Sequence, residues 1–454
     1  MSLSRDYTRY ALRTLEFSDA AVAAARTFLL DSLGVGIAGS RAPFREAVHA
    51  TATRWGQGEG ARVFGTGEAM PPATAAFLNG FQIHSMEYDC VHEAAVVHPM
   101  ATVLAALSAE AMREDVGGRD FLHALIVAVD VACELGVAVR SPLKFFRPAT
   151  AGLFGATLGI ARLRGFDEAT ALSAMGCALA QCAGVMQAHV EGKPTLPVQI
   201  AGAARAAMVA CDLAEAELAG PEHALEGPFG YFAMFEDDAD MEARPGGVHR
   251  IREVSWKPFP TGRAAQGGIV LAQELRKKGM TEDNVAALTL RAPPIIPRLV
   301  ARKAYAGMSP NYARLCFPWL AALTLRHGSV ELAHFTREAL DDPDLLALAA
   351  RVEVVDDGNP DPAAFVPQTL SATLQDGSEV SATTERLFGS PEFPLTDEQH
   401  MAKLRGCLAF AYPELSENKV AARARAMREA VDALEDNPAS TLWPHLNTPR
   451  MDPA

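Results

Sequence analysis

Residues 84–98 place three imidazoles and three carboxylates within fifteen positions: His84, Glu87, Asp89, His92, Glu93 and His98. An imidazole exchanges its proton near neutral pH, and a neighbouring carboxylate decides which ring nitrogen carries it, so this cluster holds the parts for proton transfer. It starts at the end of an apolar helical stretch, 74–86, and stops at Pro99, where the next helical stretch begins. It is therefore a connection whose rigid flanks aim side chains into a cleft. The same groups also suit a plainer role, capping and bridging helices. With Cys90 they offer metal-ligating atoms too, but no spacing reproduces H-E-x-x-H or another zinc pattern, so no metal is expected.

Cations are the second ingredient. The loop Glu191-Gly192-Lys193-Pro194-Thr195-Leu196-Pro197 and the loop Trp256-Lys257-Pro258-Phe259-Pro260-Thr261-Gly262-Arg263 each set a basic residue among prolines and glycine. Proline restricts the backbone and so pre-orients the charge. Lysine supplies a point charge, whereas Arg263 has the planar fork that grips a carboxylate with two parallel hydrogen bonds. Taken singly, either loop reads as a solvated cation. Together with the His/acid cluster they point to a site for a small carboxylate.

The segment Gly34-Val35-Gly36-Ile37-Ala38-Gly39 matches G-x-G-x-x-G. A dinucleotide loop needs a strand before those glycines and a helix opening on them, but here they close a helical segment that starts near Ser18. A cap and a close-packing surface are expected instead. Residues 58–67 contain no P-loop lysine and read as turns.

The elements that must position these groups are mostly helical. Apolar-periodic stretches run from Ser18 to near Gly39 and over 74–86, 101–112, 119–139, 151–163, 168–186 and 200–218, with alanine and glycine on several faces, which lets helices pack closely. After Arg263 the pattern changes. A helix at 265–278, an alternating segment at 286–292, a helix at 312–327 and a strand at 351–356 precede a β-hairpin, 369–374 and 379–384, turned by Asp376-Gly377. Helix returns at 397–411 and 417–434. The fold expected is mainly α, with a discontinuous helical domain from 1–262 and 395–454 and an α+β lid from 263–394.

Length and charge bound the function. The 454 residues are 49% hydrophobic, 21% charged and 7% aromatic, a globular balance with ample core. With 41 basic against 55 acidic residues the net charge is −14, which argues against a nucleic-acid partner. The seven cysteines are scattered, without a C-x-x-C pair, and are expected to be reduced, buried thiols of a cytoplasmic protein; the polar start shows no signal peptide. The longest apolar run, 121–139, is interrupted by His123, Asp130 and Glu134, so it is read as a core helix and no membrane is expected.

The segments NGFQIHSMEYD, VVHPMATVLAALSAE, AGLFGATLGIARLRGF, WKPFP and MSPNYA, in this order, resemble the MmgE/PrpD family over nearly the whole chain. That family includes 2-methylcitrate dehydratase, cis-aconitate decarboxylase and iminodisuccinate epimerase. The resemblance implies a homodimer, a helical domain built from both chain ends with a lid between them, and no metal or organic cofactor. It places the family's acidic segment on Glu87-Tyr88-Asp89-Cys90, its histidine before proline on His98, one active-site lysine on Lys257 and a tyrosine on Tyr312. A second lysine falls near Lys193, out of strict register. Departures are equally informative. Arg147-Pro148-Ala149 stands where many members have a histidine, and Thr261-Gly262 followed by Ala265-Gln266 stands where many have Pro-Ser-Cys and Thr-His.

The cluster, the cations and the resemblance together imply an enzyme acting by proton abstraction beside a carboxylate of a small di- or tricarboxylate. The catalytic group is expected to be His98, Asp89, Glu87, Lys257 and Tyr312, with Arg263, Lys193, Arg147 and Gln266 holding the substrate. The four cations would stabilise the enolate-like charge and Tyr312 would protonate the leaving group. A lyase is expected, though neither a standard 2-methylcitrate dehydratase nor a cis-aconitate decarboxylase. An epimerase and a catalytically silent ligand-binding dimer are the alternatives. Replacing His98 or Lys257 by alanine is expected to abolish turnover without unfolding the protein.

Overall fold

The computed structural model describes residues 2–13, 15–361 and 363–448. The outer limits of the expected helical unit, 1 and 449–454, lie outside the described residues, as do Thr14 and Pro362. Eleven helices come first: α1 (Leu3–Leu12), α2 (Asp19–Ala38), α3 (Arg45–Thr53), α4 (Pro72–His84), α5 (Pro99–Arg113), α6 (Gly118–Val137), α7 (Arg147–Leu163), α8 (Glu168–Leu179), α9 (Gln187–Glu191), α10 (Leu196–Glu215) and α11 (Tyr231–Phe235). A short pair, β1 (Ala61–Arg62) and β2 (Ala69–Met70), lies between α3 and α4. Then follow α12 (Arg263–Lys277), β3 (Val285–Ala292), α13 (Ile295–Val300), α14 (Pro310–Ala313), α15 (Phe317–His327), α16 (Arg337–Leu340), α17 (Pro343–Ala349), β4 (Val352–Asp356), β5 (Gln368–Leu374) and β6 (Glu379–Thr384). Two helices, α18 (Asp397–Ala411) and α19 (Glu417–Asp432), close the chain.

Two apolar cores organise these elements. One joins buried residues from Leu3 to Val254 with residues from Leu404 to Leu446, and the other gathers residues from Phe259 to Leu387. The second surrounds a four-stranded sheet in the order β4-β3-β5-β6, with β3 parallel to β4 and antiparallel to β5. The β5–β6 hairpin turns at Gly377, whose φ of 84° favours glycine. The fold is thus mainly α with a smaller α+β unit.

Local chemistry explains most element ends. The Ser18 side chain accepts from the Ala21 N–H and starts α2, and proline at the first or second position opens α4, α5, α7 and α10. The glycines of the G-x-G-x-x-G segment serve packing: a Cβ on Gly34 would lie 2.7 Å from Leu404 of α18, and one on Gly36 2.7 Å from Phe64. Two expected helices are shorter than the pattern suggested. The 168–186 stretch ends at Leu179, because Gly184 takes φ 149° and its carbonyl receives the Phe146 N–H. The 312–327 stretch is split into α14 and α15, because Pro318 cannot continue a helix through Arg314. Conversely, α1 forms from the polar start, with Ser2 as its cap.

Two helical stretches, Asp19–Arg41 and Leu196–Glu215, are long and apolar enough to cross a membrane, and neither is the 121–139 run. Their apolar windows are 72% and 61% buried inside the protein, as core helices are.

Candidate active site

The connection between α4 and α5 carries the densest chemistry. His84 is the last residue of α4, and Pro99 is the first of α5. A residue before proline is pushed out of the helical region. His98 accordingly adopts φ −98°, ψ 78° and turns its ring back toward Asp89. Antiparallel pairing of Val91 with Ser255 draws the 255–263 loop alongside, which brings Lys257 to Glu87.

Asp89 is the hub. Its Oδ2 lies 3.0 Å from His84 Nδ1 and 3.1 Å from His98 Nδ1, and its Oδ1 is 3.9 Å from Lys257 Nζ. The two imidazole rings stand edge to face at 4.8 Å. Lys257, fully buried, donates to Glu87 Oε2 at 3.0 Å and to the Glu87 carbonyl at 3.2 Å.

The segment leading into Asp89 is held in an unusual way. The carbonyls of Ser85, Met86, Glu87 and Tyr88 each accept from a different distant side chain: Asn311 at 3.3 Å, Arg314 at 3.1 Å, Lys257 at 3.2 Å and Lys403 at 2.9 Å. Glu87 takes φ 52° there, a left-handed conformation that costs a non-glycine residue about 1 to 3 kcal/mol. Two of the four clamps, Asn311 and Arg314, come from the α+β unit, so that unit shapes the proton-transfer segment.

The protonation pattern follows from burial and neighbours. Burial alone would raise the carboxyl pKa values, but Lys257 and the two imidazoles outweigh it, holding Glu87 down at about 2 and Asp89 well below the carboxylate range. For His84 burial opposes the charge, yet Asp89 and Glu87 prevail and raise its pKa. For His98 burial and then Lys257 prevail over Asp89, and the pKa falls. His84 is thereby favoured as imidazolium and His98 as neutral imidazole. With Nδ1 held by Asp89, His98 Nε2 has no hydrogen-bond partner among the described residues, and His98 lines a cavity of about 70 Å³.

That cavity lies where the two cores meet. His98, Phe146 and His189 line it from the helical side, and Val300, Leu315 and Phe365 from the other. A larger groove of about 920 Å³ opens elsewhere, among Arg41, Glu331, Lys403 and Phe410, and no imidazole lines it.

Several expected site residues are placed otherwise. Arg147 does not line the cavity: its Nε donates to Glu236 Oε1 at 3.0 Å, and its Nη2 reaches the Ser141 carbonyl, so its charge is neutralised. Arg263 lines the cavity but lacks the free fork expected of it. Its Nε is 2.7 Å from Glu93 Oε1, and its Nη1 serves the Trp256 and Phe388 carbonyls and Gln266. Gln266 donates to the Phe259 and Thr261 carbonyls and shapes the loop, not a ligand. Tyr312 donates its hydroxyl to the Lys303 carbonyl at 2.8 Å and is absent from the cavity wall, so it is not placed to protonate a leaving group. Lys257 is engaged by Glu87. Of the four expected cations only Lys193, exposed at a small recess beside His84, has no carboxylate partner among the described residues.

Sequence reasoning did not select His84 for catalysis and passed over His189, Arg302, Asn311 and Arg314. His84 was legible in the 84–98 cluster. Asn311 lies in the MSPNYA segment and His189 just before the Glu191–Pro197 loop, whereas Arg302 and Arg314 carry no local signature, because the groups they meet are far along the chain. Burial, reinforced by Arg302, drops His189 to about 4, so a second neutral imidazole faces the cavity.

The ligating atoms of His84, Asp89 and His98 lie within 4.8 Å of one another. Asp89 is already shared by two imidazoles, and the Lys257 ammonium 3.9 Å away opposes a divalent cation.

A helical unit thus meets an α+β unit over a buried carboxylate that holds two imidazoles. The chain matches the model of the MmgE/PrpD N-terminal domain over residues 9–244 and that of the MmgE/PrpD C-terminal domain over residues 259–429. It belongs to that family. A cis-aconitate decarboxylase from Mus musculus is 26% identical over 417 residues, spanning 87% of this chain and 84% of that protein. Its Homo sapiens counterpart is 25% identical over 416 residues, spanning 87% and 85%. The mitochondrial 2-methylcitrate dehydratase of Yarrowia lipolytica is 27% identical over 162 residues, 33% of this chain and 30% of that protein. The chain is an enzyme of the lyase class within this family.

Proposed function

We propose that the enzyme moves a proton at the carbon beside a carboxylate of a small di- or tricarboxylate, with His98 Nε2 as the proton carrier. The observation that carries this reading is the Asp89–His98 pair: the carboxylate holds Nδ1 at 3.1 Å and leaves Nε2, on a residue that lines the cavity, without a partner among the described residues. In an elimination, His98 takes the proton from carbon as the bond to the β-substituent breaks and its electron pair leaves with that group. In a decarboxylation, the electron pair of the broken C–C bond stays on carbon and takes a proton from His98 Nε2 in the imidazolium form, which His98 first acquires from solvent. Either step uses side chains alone, so the proposed reaction is cofactor-independent.

Relatives named for cis-aconitate and 2-methylcitrate support a polycarboxylate substrate. The engagement of Arg147 by Glu236 supports a substrate different from theirs. An epimerase is the second reading, favoured by His189: two imidazoles from separate elements line one cavity, so one can take the proton as neutral base while the other, in its imidazolium form, returns one to the opposite face. A homodimer in the cytoplasm completes the proposal, supported by the resemblance and by seven free thiols.

Incubating the enzyme in deuterated water with cis-aconitate, 2-methylcitrate, citrate and iminodisuccinate tests these readings. Formation of an alkene or release of CO₂, lost in His98→Gln, is the expected result. Solvent deuterium at a stereocentre without net elimination selects the epimerase. Turnover unchanged in His98→Gln overturns the proposal.

A further inference from the structure

Charges around the cavity do not cancel. Glu87 and Asp89 are matched by Lys257 and His84, Arg263 by Glu93, and Arg147 by Glu236. Three arginines stay without a carboxylate partner among the described residues: Arg314, bound to the Met86 and Pro260 carbonyls, the exposed Arg298, bound to the Leu143 carbonyl, and Arg302. Arg314 is enclosed and bears on the backbone. Arg302 is placed differently.

Its Nη2 donates to the carbonyls of His189 at 2.9 Å and Leu299 at 3.4 Å, both residues of the cavity wall. Its Nη1 is buried and has no hydrogen-bond partner. The guanidinium lies over the Tyr312 ring, 4.9 Å from its centroid. Against both lies Gly192, which lines the recess shared with His84, Glu87, Lys193 and Asn311; a Cβ there would fall 2.9 Å from Nη1 and 2.5 Å from Tyr312 Cδ2. Gly192 also has φ 62°, so glycine both makes the turn and leaves room for the arginine. The recess encloses about 10 Å³, about the room of one water, and shares Glu87, Leu196 and Leu315 with the main cavity, so it is an extension of that cavity rather than a second site.

A half-buried guanidinium with an idle N–H edge is costly unless an anion completes it. We propose that Arg302, steadied by Tyr312 and given room by Gly192, grips the substrate carboxylate remote from the carbon on which His98 acts. This rests on the polycarboxylate reading above. It also assigns Tyr312 a role, as the platform that aims Arg302.

The test is calorimetric titration of the full chain with tricarballylate, a saturated tricarboxylate with no hydroxyl to eliminate, and with butyrate as the monocarboxylate control. Wild type is expected to bind tricarballylate well above butyrate. Arg302→Gln is expected to weaken tricarballylate about 10- to 100-fold, the effect of losing one charge-assisted contact, and to leave butyrate unchanged. Lys303→Gln removes a neighbouring exposed charge and is expected to change neither. Undiminished tricarballylate binding by folded Arg302→Gln, or an equal loss in Lys303→Gln, overturns the assignment and leaves the polycarboxylate reading standing. Failure of wild type to bind tricarballylate overturns both. If Arg302→Gln does not fold, Arg302→Lys decides, because it keeps the charge and loses the fork: weakened binding supports the assignment and full binding overturns it.

Discussion

Lys257 Nζ donates to two of the Glu87 oxygens, carboxylate Oε2 at 3.0 Å and the main-chain carbonyl at 3.2 Å. One buried ammonium thus neutralises a buried acid and fixes a left-handed residue. Lys257→Met is therefore expected to strip turnover and also destabilise the fold by about 3 to 5 kcal/mol, since it strands a buried charge. This corrects the expectation that Lys257 can be removed without unfolding. Adding Glu87→Leu to Lys257→Met should restore much of the lost stability in urea unfolding. A single variant as stable as wild type would refute the pairing.

His98 is different, because its ring borders open space and its Nε2 supports nothing. His98→Gln is expected to lower kcat by about 10²- to 10⁴-fold while the melting temperature shifts little. Steady-state kinetics beside calorimetry separates the two effects.

The pH dependence follows from the directions of the shifts. With His98 as the base proposed above, its neutral form is the working one, so kcat/KM should rise with pH through a value below the ordinary imidazole pKa of 6.5 and then level off. Stability behaves differently at each end. Glu87 is depressed from 4.5 to about 2, so its contribution is present above 4.5 and is lost as pH falls across that interval. His84 is raised, so its contribution is present below 6.5 and is lost as pH climbs through its higher folded value. Unfolding curves at stepped pH should show both losses, and His84→Gln should remove the alkaline one.

Arg147 offers a contrast between binding and structure. Because Glu236 engages it inside the helical unit, Arg147→Met should cost about 3 to 5 kcal/mol of stability and leave KM nearly unchanged for the molecules that stay folded. A large rise in KM with stability intact would return Arg147 to the substrate.

Local signals were readable from the chain alone. The helix expected over 74–86 is found over Pro72–His84, and the His98-Pro99 step and the Asp376-Gly377 hairpin appear where expected, as does a change from helix to mixed α and β after Arg263. These features depend on residues within a few positions of one another. Pairing across the chain left no such trace. Nothing near Arg147 announces Glu236, and nothing near Met86 announces Arg314, more than two hundred residues on. The four cations were therefore expected around the substrate, when folding had already given three of them carboxylates of their own. Pro318 was a missed local signal, and it alone would have divided the 312–327 helix.

Gly34 lets Leu404 of α18 settle against α2, so one face of a strongly apolar helix is covered by a segment that is made after the α+β insert. A ribosome-bound chain must therefore carry that face uncovered through translation of the whole insert. Nascent-chain complexes halted before residue 397 should recruit holdase chaperones, and those halted after α18 has cleared the exit tunnel should release them.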